Sequence, residues 1–330
     1  MTYTLPLRLK RLRKTPTVRA MLQETRLHPE HFIAPLFITE LHESPQAIKS
    51  MPGCYQLPLS ALDEEIKTLT SLGIRSVLLF GIPSKKNAYG TQSLSKNGIV
   101  QQAIRRIKTL APDLLVIADV CLCEYTDHGH CGILDGEHID NDTTLKTLAK
   151  QAVSFAEAGA DWVAPSSMTD GMVHAIRDAL DKKNFTHVAI LSYAVKYSSH
   201  FYGPFREAAL GAPQFGDRKT YQMDPCNASE ALREATLDVH EGADLLMVKP
   251  AMQYLDIIHR IKTRFPDVPL CAYQVSGEYA MIKAASLAGV VDEEQAMIES
   301  LIAIKRAGAD LIITYFVKNI AAYLKKTYGC

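Results

Sequence analysis

Three copies of one local pattern restrict the fold of this chain more than any other feature of its sequence. The segments AGADWVAPSS, EGADLLMVKP and AGADLIITYF begin at Ala158, Glu241 and Ala307. In each, a helical stretch ends at a glycine, which caps a helix without a Cβ clash, and an apolar, strand-like run follows. Fully apolar strands are typical of a parallel sheet that is covered on both faces. The pattern therefore predicts repeated β/α units and an α/β protein.

Further strand-like runs bring the number of predicted strands to eight. The eight runs are 33–38, 76–81, 114–121, 162–166, 188–193, 245–249, 270–275 and 311–315. Amphipathic helical stretches separate most of them, for example 144–158, 229–241 and 293–307. Eight parallel strands with intervening helices in roughly 250 residues predict a TIM-type (β/α)8 barrel. A doubly wound sheet is the alternative, although the sequence contains neither of the usual glycine-rich nucleotide-binding loops.

The N-terminal segment differs in character from the predicted barrel. Its first twenty residues contain six arginines or lysines and no acidic residue. We interpret residues 1–30 as an extended basic arm that contacts a neighbouring subunit, and residues 31–330 as the barrel domain. A frayed terminus is the alternative interpretation of the same segment.

Charge and cysteine content exclude several classes of function. The 36 basic residues equal the 36 acidic ones, so no overall field favours nucleic acid or an anionic membrane as a partner. No apolar run approaches the roughly 20 residues that a membrane-spanning helix requires. Seven cysteines, an odd number, favour a reducing compartment, and we therefore expect a cytoplasmic protein.

Three of these cysteines lie close together in the segment DVCLCEYTDHGHCG. Cys121, Cys123 and Cys131 follow the third predicted strand, and thiolates at such spacing can converge on one soft cation, most commonly zinc. Three protein ligands leave a coordination position open, which is typical of catalytic zinc. Reduced core cysteines are the alternative, but the segment is a polar loop. His128 and His130 could supply a fourth ligand or hydrogen bonds to the ligands.

Polar residues recur at the carboxyl ends of the predicted strands, where barrel enzymes carry their active sites. Strand by strand, these residues are Asp119, Cys121, Ser166, Lys196 just past the fifth strand, Lys249 at the end of the sixth, Ser276 and Tyr315. Since all strand ends of one polarity meet at one mouth of a barrel, we expect a single site there.

Two lysines at one mouth favour covalent chemistry. A lysine with the ordinary pKa near 10.4 is neutral in only about one molecule in 2,500 at pH 7. Burial and a second cation both favour the neutral amine, which can form a Schiff base with a ketone. For one lysine alone, an ion-paired or snorkelling side chain is the better interpretation. Lys196 and Lys249 are predicted to face each other beside a metal site. This arrangement favours the interpretation that they are nucleophilic amines.

The segment between the fifth and sixth strands, about 197–228, is long enough to form a lid over the mouth. Within it Arg206, Arg218 and Gln222 are suited to bind a carboxylate, and Phe205 to exclude water. On the opposite side Ser276 and Tyr315 offer hydroxyl groups for a second carboxylate. Tyr273 either lines that side or is simply packed.

These motifs resemble the porphobilinogen synthase, or 5-aminolaevulinate dehydratase, family over essentially the whole chain. The resemblance is carried by DVCLCEYTDHGHCG, APSSMTDGM, FYGPFREA, GDRKTYQ, GADLLMVKPAMQYLD, AYQVSGEYAM and ADLIITY. It implies a lyase that condenses two 5-aminolaevulinate molecules to porphobilinogen, with loss of two waters, in tetrapyrrole and haem biosynthesis. The cysteine loop marks the zinc-using branch of the family.

The resemblance also implies roles for individual residues. One substrate would form a Schiff base with Lys249, and Ser276 and Tyr315 would close its site. The other would bind Lys196. Its carboxylate would be bound by residues of the long segment, namely Arg206, Arg218 and Gln222.

For the metal, the resemblance implies zinc on Cys121, Cys123 and Cys131, acting as a Lewis acid on the second substrate. Asp119 and Ser166 would assist proton movements or orient the free amine. An activating Mg²⁺ would bind at Glu234 between subunits, and the basic arm would hold a homo-octamer together.

Two other functions are compatible with parts of this pattern. A class I aldolase-type lyase needs one amine and no metal, so the second lysine and the cysteines argue against it. A non-catalytic zinc-binding scaffold would leave both lysines with ordinary pKa values and would not require the two arginines.

Overall fold

Eight parallel strands close into one barrel in the computed structural model, which describes residues 5–329. Each strand pairs with the next along the chain, and the eighth returns to the first through Phe32 with Ile312 and Ile33 with Ile313. The strands are β1 Phe32–Thr39, β2 Ser76–Ile82, β3 Leu115–Val120, β4 Trp162–Pro165, β5 Ala189–Lys196, β6 Leu245–Lys249, β7 Leu270–Gln274 and β8 Leu311–Thr314. The predicted TIM-type (β/α)8 barrel is confirmed.

Helices surround the barrel and cover the apolar faces of its strands. They are α1 Pro16–Met21, α2 Leu62–Ser71, α3 Ile99–Leu110, α4 Asn141–Ala158, α5 Met172–Lys182, α6 Gly203–Ala208, α7 Ser229–Glu241, α8 Leu255–Arg264, α9 Ser276–Leu287, α10 Glu293–Ala307 and α11 Val317–Tyr328. Short 3-10 helices lie at Leu9–Arg13, Pro29–His31, Leu59–Ala61, Thr91–Leu94, His200–Tyr202 and Met252–Tyr254. The strand Tyr55–Pro58 pairs with β1 and extends the barrel sheet, and Gln46–Ala47 pairs with it in turn. Leu134–Asp135 and His138–Ile139 form a separate two-stranded sheet.

The fifth strand is longer than its sequence pattern predicts. It continues to Lys196 instead of ending at position 193, so placing Lys196 just past the strand was wrong. Leu246 pairs with Ser192 but Val248 pairs with Val195, and β5 therefore carries one extra residue, a β-bulge. The bulge interrupts the two-residue alternation from which a strand is recognised. It also brings Lys196 into register with Lys249.

The Gly-Ala-Asp repeats have a common structural role at the amino ends of the strands. The glycines adopt positive φ, as at Gly159, where φ is 102°. Each aspartate accepts a hydrogen bond from the backbone of the preceding strand, at 2.7 Å from Val116 to Asp161 and 2.7 Å from Ile190 to Asp244. Asp310 accepts the corresponding bond from β7. The repeat thus joins the start of one strand to the start of its neighbour.

We expect the replacement Asp161→Ala to lower the free energy of unfolding by about 1–3 kcal/mol, because the Val116 amide loses a charged acceptor. Lys108, 3.1 Å from Asp161, loses its partner as well. Thermal or urea unfolding measures the change, and Asp113→Ala, at an exposed position, serves as the control. Equal stabilities of the two variants would contradict this role for the repeat.

The described part of the N-terminal arm lies largely at the surface. Neither Leu9–Arg13 nor α1 buries a residue, and Leu7 and Leu9 are 79% and 64% exposed. Exposed leucines on a basic arm suit a contact with another subunit, which stays a prediction. Among the described helices, none has the length and apolar character needed to cross a bilayer.

Candidate active site

Lys249 lies buried at the mouth of the barrel, with its amino group surrounded by aromatic rings. The Nζ atom is 4.3–5.3 Å from the ring centroids of Tyr273, Tyr193, Phe205 and Tyr202. Burial, and then the nearby charge of Lys196, lower the pKa of Lys249 to about 7. The rings favour the cation, but desolvation outweighs them, so a large fraction of this amine is neutral near neutral pH.

Lys196 is the neighbour of Lys249 across the β5–β6 pairing. It is 4% exposed, its Nζ donates a hydrogen bond to the Ser166 carbonyl oxygen, and it lies 5.6 Å from the centroid of the Tyr193 ring. Neighbouring parallel strands are about 4.8 Å apart. The two amines therefore belong to one chamber, as the strand-end pattern predicted.

Asp119 and Ser166 form a hydrogen-bonded pair in the same chamber. The Ser166 Oγ donates to Asp119 Oδ2 at 3.0 Å, while the buried Oδ1 has no partner among the described residues. Burial, with a smaller effect from Glu124, raises the pKa of Asp119 to about 7. A carboxyl group with this pKa can accept or release a proton near neutral pH.

The three cysteines of the loop after β3 converge on one point. Their sulfur atoms all lie within 4.8 Å of one another, and the sulfurs of Cys121 and Cys123 are 3.3 Å apart. Hydrogen bonds from these two thiols lower the pKa of Cys131, while the pKa values of Cys121 and Cys123 are raised. The convergence of the three sulfurs therefore favours ionisation of Cys131 over that of Cys121 or Cys123.

The donor set fits a soft cation better than it fits packing. The three sulfurs form a buried cluster of their own, with Tyr221 against it, apart from the main hydrophobic core. Thiolates are the ligands of zinc and other soft ions. A second set of possible ligand atoms, on Asp119, Cys121 and Glu124, overlaps the cluster.

The two histidines of this loop bind other partners. The ring nitrogens of His130 are 3.2 Å from the Tyr221 hydroxyl and 3.1 Å from the Phe215 carbonyl oxygen. His128 bonds the Ala88 carbonyl oxygen at 3.3 Å and accepts from the His130 amide at 3.1 Å. Every ring nitrogen of the two histidines is therefore engaged by a partner other than the three sulfurs, and a role as fourth metal ligand stays one of the alternatives that the sequence left open.

The segment 197–228 packs against the cysteine loop. Arg218 Nη2 donates to the carbonyl oxygens of Gly129 at 2.9 Å and Gly211 at 2.7 Å. A Cβ at Gly129, whose φ is 73°, would lie 2.2 Å from the Ala212 carbonyl oxygen. This approach of backbone to backbone is possible only with glycine at that position.

Several polar atoms of this segment are buried without a hydrogen-bond partner among the described residues. They are the donors Arg206 Nε, Arg218 Nε and Gln222 Nε2, and the acceptor Gln222 Oε1. Burial and the charge of Arg218 lower the pKa of Arg206. An anionic carboxylate would satisfy the nitrogen donors of this set.

On the opposite side, the predicted hydroxyl donors already bond to the protein. Ser276 Oγ accepts from the Phe205 amide at 2.9 Å and lies 3.3 Å from the Phe201 carbonyl oxygen. The hydroxyls of Tyr273 and Tyr315 are 3.0 Å apart. A carboxylate bound here would have to compete with these contacts.

Glu234 is half-buried on α7. It lines a cavity of about 440 Å³ together with Asp170, Glu230 and Gln222. Burial and the charges of Asp170 and Glu230 raise its pKa. The Mg²⁺ site stays a prediction.

Two buried residues of the site were not predicted from the sequence. Tyr193 is fully buried on β5 and its hydroxyl has no hydrogen-bond partner among the described residues. The sequence signal for Tyr193 was a polar side chain within an apolar strand. The bulge in β5 obscured that signal, because it interrupts the two-residue alternation. Glu124 is 2% exposed and resembles an ordinary loop acid, so its sequence context carries no signal.

Comparison with known proteins agrees with this geometry. A family model described as delta-aminolevulinic acid dehydratase matches residues 6–323. Relatives of that name from Halalkalibacterium halodurans and Bacillus subtilis are 56% and 55% identical to the chain; the alignments cover 97% and 96% of it, and 97% and 98% of the relatives.

A solved structure extends the comparison to three dimensions. It is the delta-aminolevulinic acid dehydratase of Toxoplasma gondii in complex with its reaction product porphobilinogen. The TM-score is 0.95 at 42% identity, and the match covers 98% of this chain and 92% of that one. The chain belongs to the delta-aminolevulinic acid dehydratase family.

Proposed function

We propose that this enzyme condenses two molecules of 5-aminolaevulinate to porphobilinogen, with loss of two waters. The observation that carries the proposal is the pair of buried amines, Lys196 and Lys249, on adjacent strands beside the cysteine cluster. Two amines suit a reaction that joins two keto acids. A class I aldolase-type reaction would leave one of them without a role.

Burial prepares Lys249 to act as a nucleophile. With a pKa of about 7, its neutral form can attack the ketone carbon of one substrate. The carbonyl oxygen leaves as water and a carbon–nitrogen double bond forms to Nζ. The surrounding aromatic rings exclude bulk water from that bond.

The second substrate binds beneath the segment 197–228. Its carboxylate satisfies the unpaired donors of Arg206, Arg218 and Gln222, which fixes its ketone near Lys196. Lys196 then forms the second Schiff base, and the second carbonyl oxygen is lost as water. Ser276 and Tyr315 bind the carboxylate of the first substrate once their present bonds are exchanged.

Proton transfer falls to the Asp119–Ser166 pair. The free Oδ1 of Asp119 can take a proton from a carbon or nitrogen of either substrate, and the Ser166 hydroxyl stabilises the carboxylate from the other side.

Cys121, Cys123 and Cys131 would hold zinc, which supplies Lewis acidity for the second substrate. Activation by Mg²⁺ at Glu234, octamers formed through the arm, and a cytoplasmic location belong to the same proposal. The six described cysteines are all free thiols, which suits a reducing compartment.

Purified protein supplied with zinc and 5-aminolaevulinate is expected to form a pyrrole, which is measured by its colour reaction. A chelator should abolish the colour and added zinc should restore it. Absence of pyrrole from fully metallated protein would refute the proposed reaction. Activity insensitive to chelation would refute the role given to the cysteines.

A further inference from the structure

A carboxylate without an ion-pair partner among the described residues lies buried against the turn that follows Lys249. Glu278, near the start of α9, is 0% exposed. Burial raises its pKa to about 7. An unpaired buried carboxylate is costly, so its retention calls for an explanation from its contacts.

The two oxygens of Glu278 join two segments of the active site. Oε1 accepts from the Met252 amide at 2.6 Å, in the turn that follows Lys249. Oε2 accepts from the Val275 amide at 2.7 Å and faces the Ala251 amide at 3.4 Å. The bond to Val275 alone would be ordinary helix capping. The bond to Met252 goes beyond capping, because it joins the turn after β6 to the start of α9.

The second segment leads directly into Ser276. The hydroxyl of Ser276 bonds the backbone of Phe201 and Phe205, and a Cβ at Gly277 would lie 2.5 Å from the Phe201 carbonyl oxygen. Phe201 and Phe205 of segment 197–228 therefore pack against the helix end to which Glu278 belongs. One carboxylate is thus hydrogen-bonded both to the Lys249 turn and to the backbone that leads into Ser276.

We propose that Glu278 is a positioning residue that holds the amine of Lys249 in register with the Ser276 side of the chamber. The inference rests on the proposed function, since it assumes that Lys249 captures a substrate whose carboxylate is bound near Ser276. A glutamine at this position would keep one oxygen acceptor. Its side-chain NH2 group would face a backbone N–H, so two donors would meet and that hydrogen bond would be lost.

The test compares Glu278→Gln with the wild-type enzyme and with Asp244→Asn. Asp244 also accepts a backbone bond, from Ile190, and links the opposite ends of the two lysine-bearing strands. Each protein is incubated with 5-aminolaevulinate, reduced with borohydride and digested, and the adducts on Lys249 and Lys196 are quantified by mass spectrometry. Melting temperatures and kcat and KM are measured on the same samples.

Glu278→Gln is expected to lower trapping on Lys249 by about tenfold to a hundredfold, the loss that one charge-assisted hydrogen bond predicts. The amount of adduct on Lys196 should change by less than about twofold. Asp244→Asn should lower the melting temperature and leave the ratio of the two adducts unchanged. If Glu278→Gln does not fold, Glu278→Asp, whose shorter side chain cannot reach both segments, carries the same expectation.

If the Glu278 variants keep the wild-type ratio of the two adducts, because trapping is unchanged on both lysines or falls in parallel on both, this inference alone is overturned. Absence of any adduct in the wild-type enzyme would instead refute the proposed function, and the inference would fall with it.

Discussion

Replacing Lys249 with methionine is expected to lower the rate of porphobilinogen formation by at least about a thousandfold, because methionine fills the same space without a nucleophile. The same replacement should stabilise the folded protein at pH 7. The pKa of Lys249 is about 7 in the folded protein, against about 10.4 in an unfolded chain. Between pH 7 and pH 10.4 the unfolded chain binds more protons at this lysine than the folded protein does. The contribution of Lys249 to the free energy of unfolding is therefore present above about pH 10.4 and is lost as the pH falls towards 7.

Removing the amine should therefore raise the free energy of unfolding at pH 7 by a few kcal/mol, with about 4 kcal/mol as the upper bound. Lys262→Met is the matched control. Lys262 pairs with Asp310 at 2.9 Å at the other end of the barrel, so its loss should reduce stability and leave activity nearly unchanged.

Urea unfolding at several pH values and a pyrrole assay measure both effects. In the wild-type enzyme, borohydride trapping on Lys249 should increase as the pH rises through about 7. A Lys249→Met variant that keeps a tenth or more of the activity, or that loses stability as Lys262→Met does, would contradict the role given to this amine.

The replacement Cys131→Ala is expected to remove the bound metal and to lower activity by at least about a hundredfold, since two remaining thiols cannot complete the site. Hydrogen bonds from Cys121 and Cys123 lower the pKa of Cys131, which favours its thiolate as a metal ligand. Metal analysis of the purified protein gives the first measurement and the pyrrole assay the second.

Cys226→Ala provides the control, because Cys226 is an exposed thiol outside the cluster. It should retain both metal and activity. A Cys131→Ala protein that binds one zinc per chain as tightly as the wild type would refute the assignment of the cluster as the metal site.

Much of the fold follows from local patterns. All eight predicted strands are present, and the helices predicted at 229–241 and 293–307 have those bounds in the structure. The helix predicted from 144 begins earlier, at Asn141, where Asp140 caps it by accepting from the Thr143 amide. Strands and helices of this kind are predictable because burial on both faces leaves continuous apolar runs, and glycines mark the turns.

The sequence predicted which residues belong to the candidate site better than it predicted the contacts that these residues make. Lys196 and Lys249 were expected at one mouth, but their pairing depends on a bulge that no local pattern reveals. His130 was a possible metal ligand, yet its ring bonds Tyr221 and Phe215, both far along the chain.

By itself, the sequence determined which side chains stand at the strand ends and that three thiols could meet, because period and spacing are properties of neighbouring residues. Only the tertiary structure decided that Glu278 is buried between the Lys249 turn and Ser276, and that the donors of Arg206 and Gln222 are left unpaired. The physical reason is that burial depends on what other segments place around a group. Charge, pKa and unpaired donors at this mouth are therefore products of the closed barrel and its covering segment.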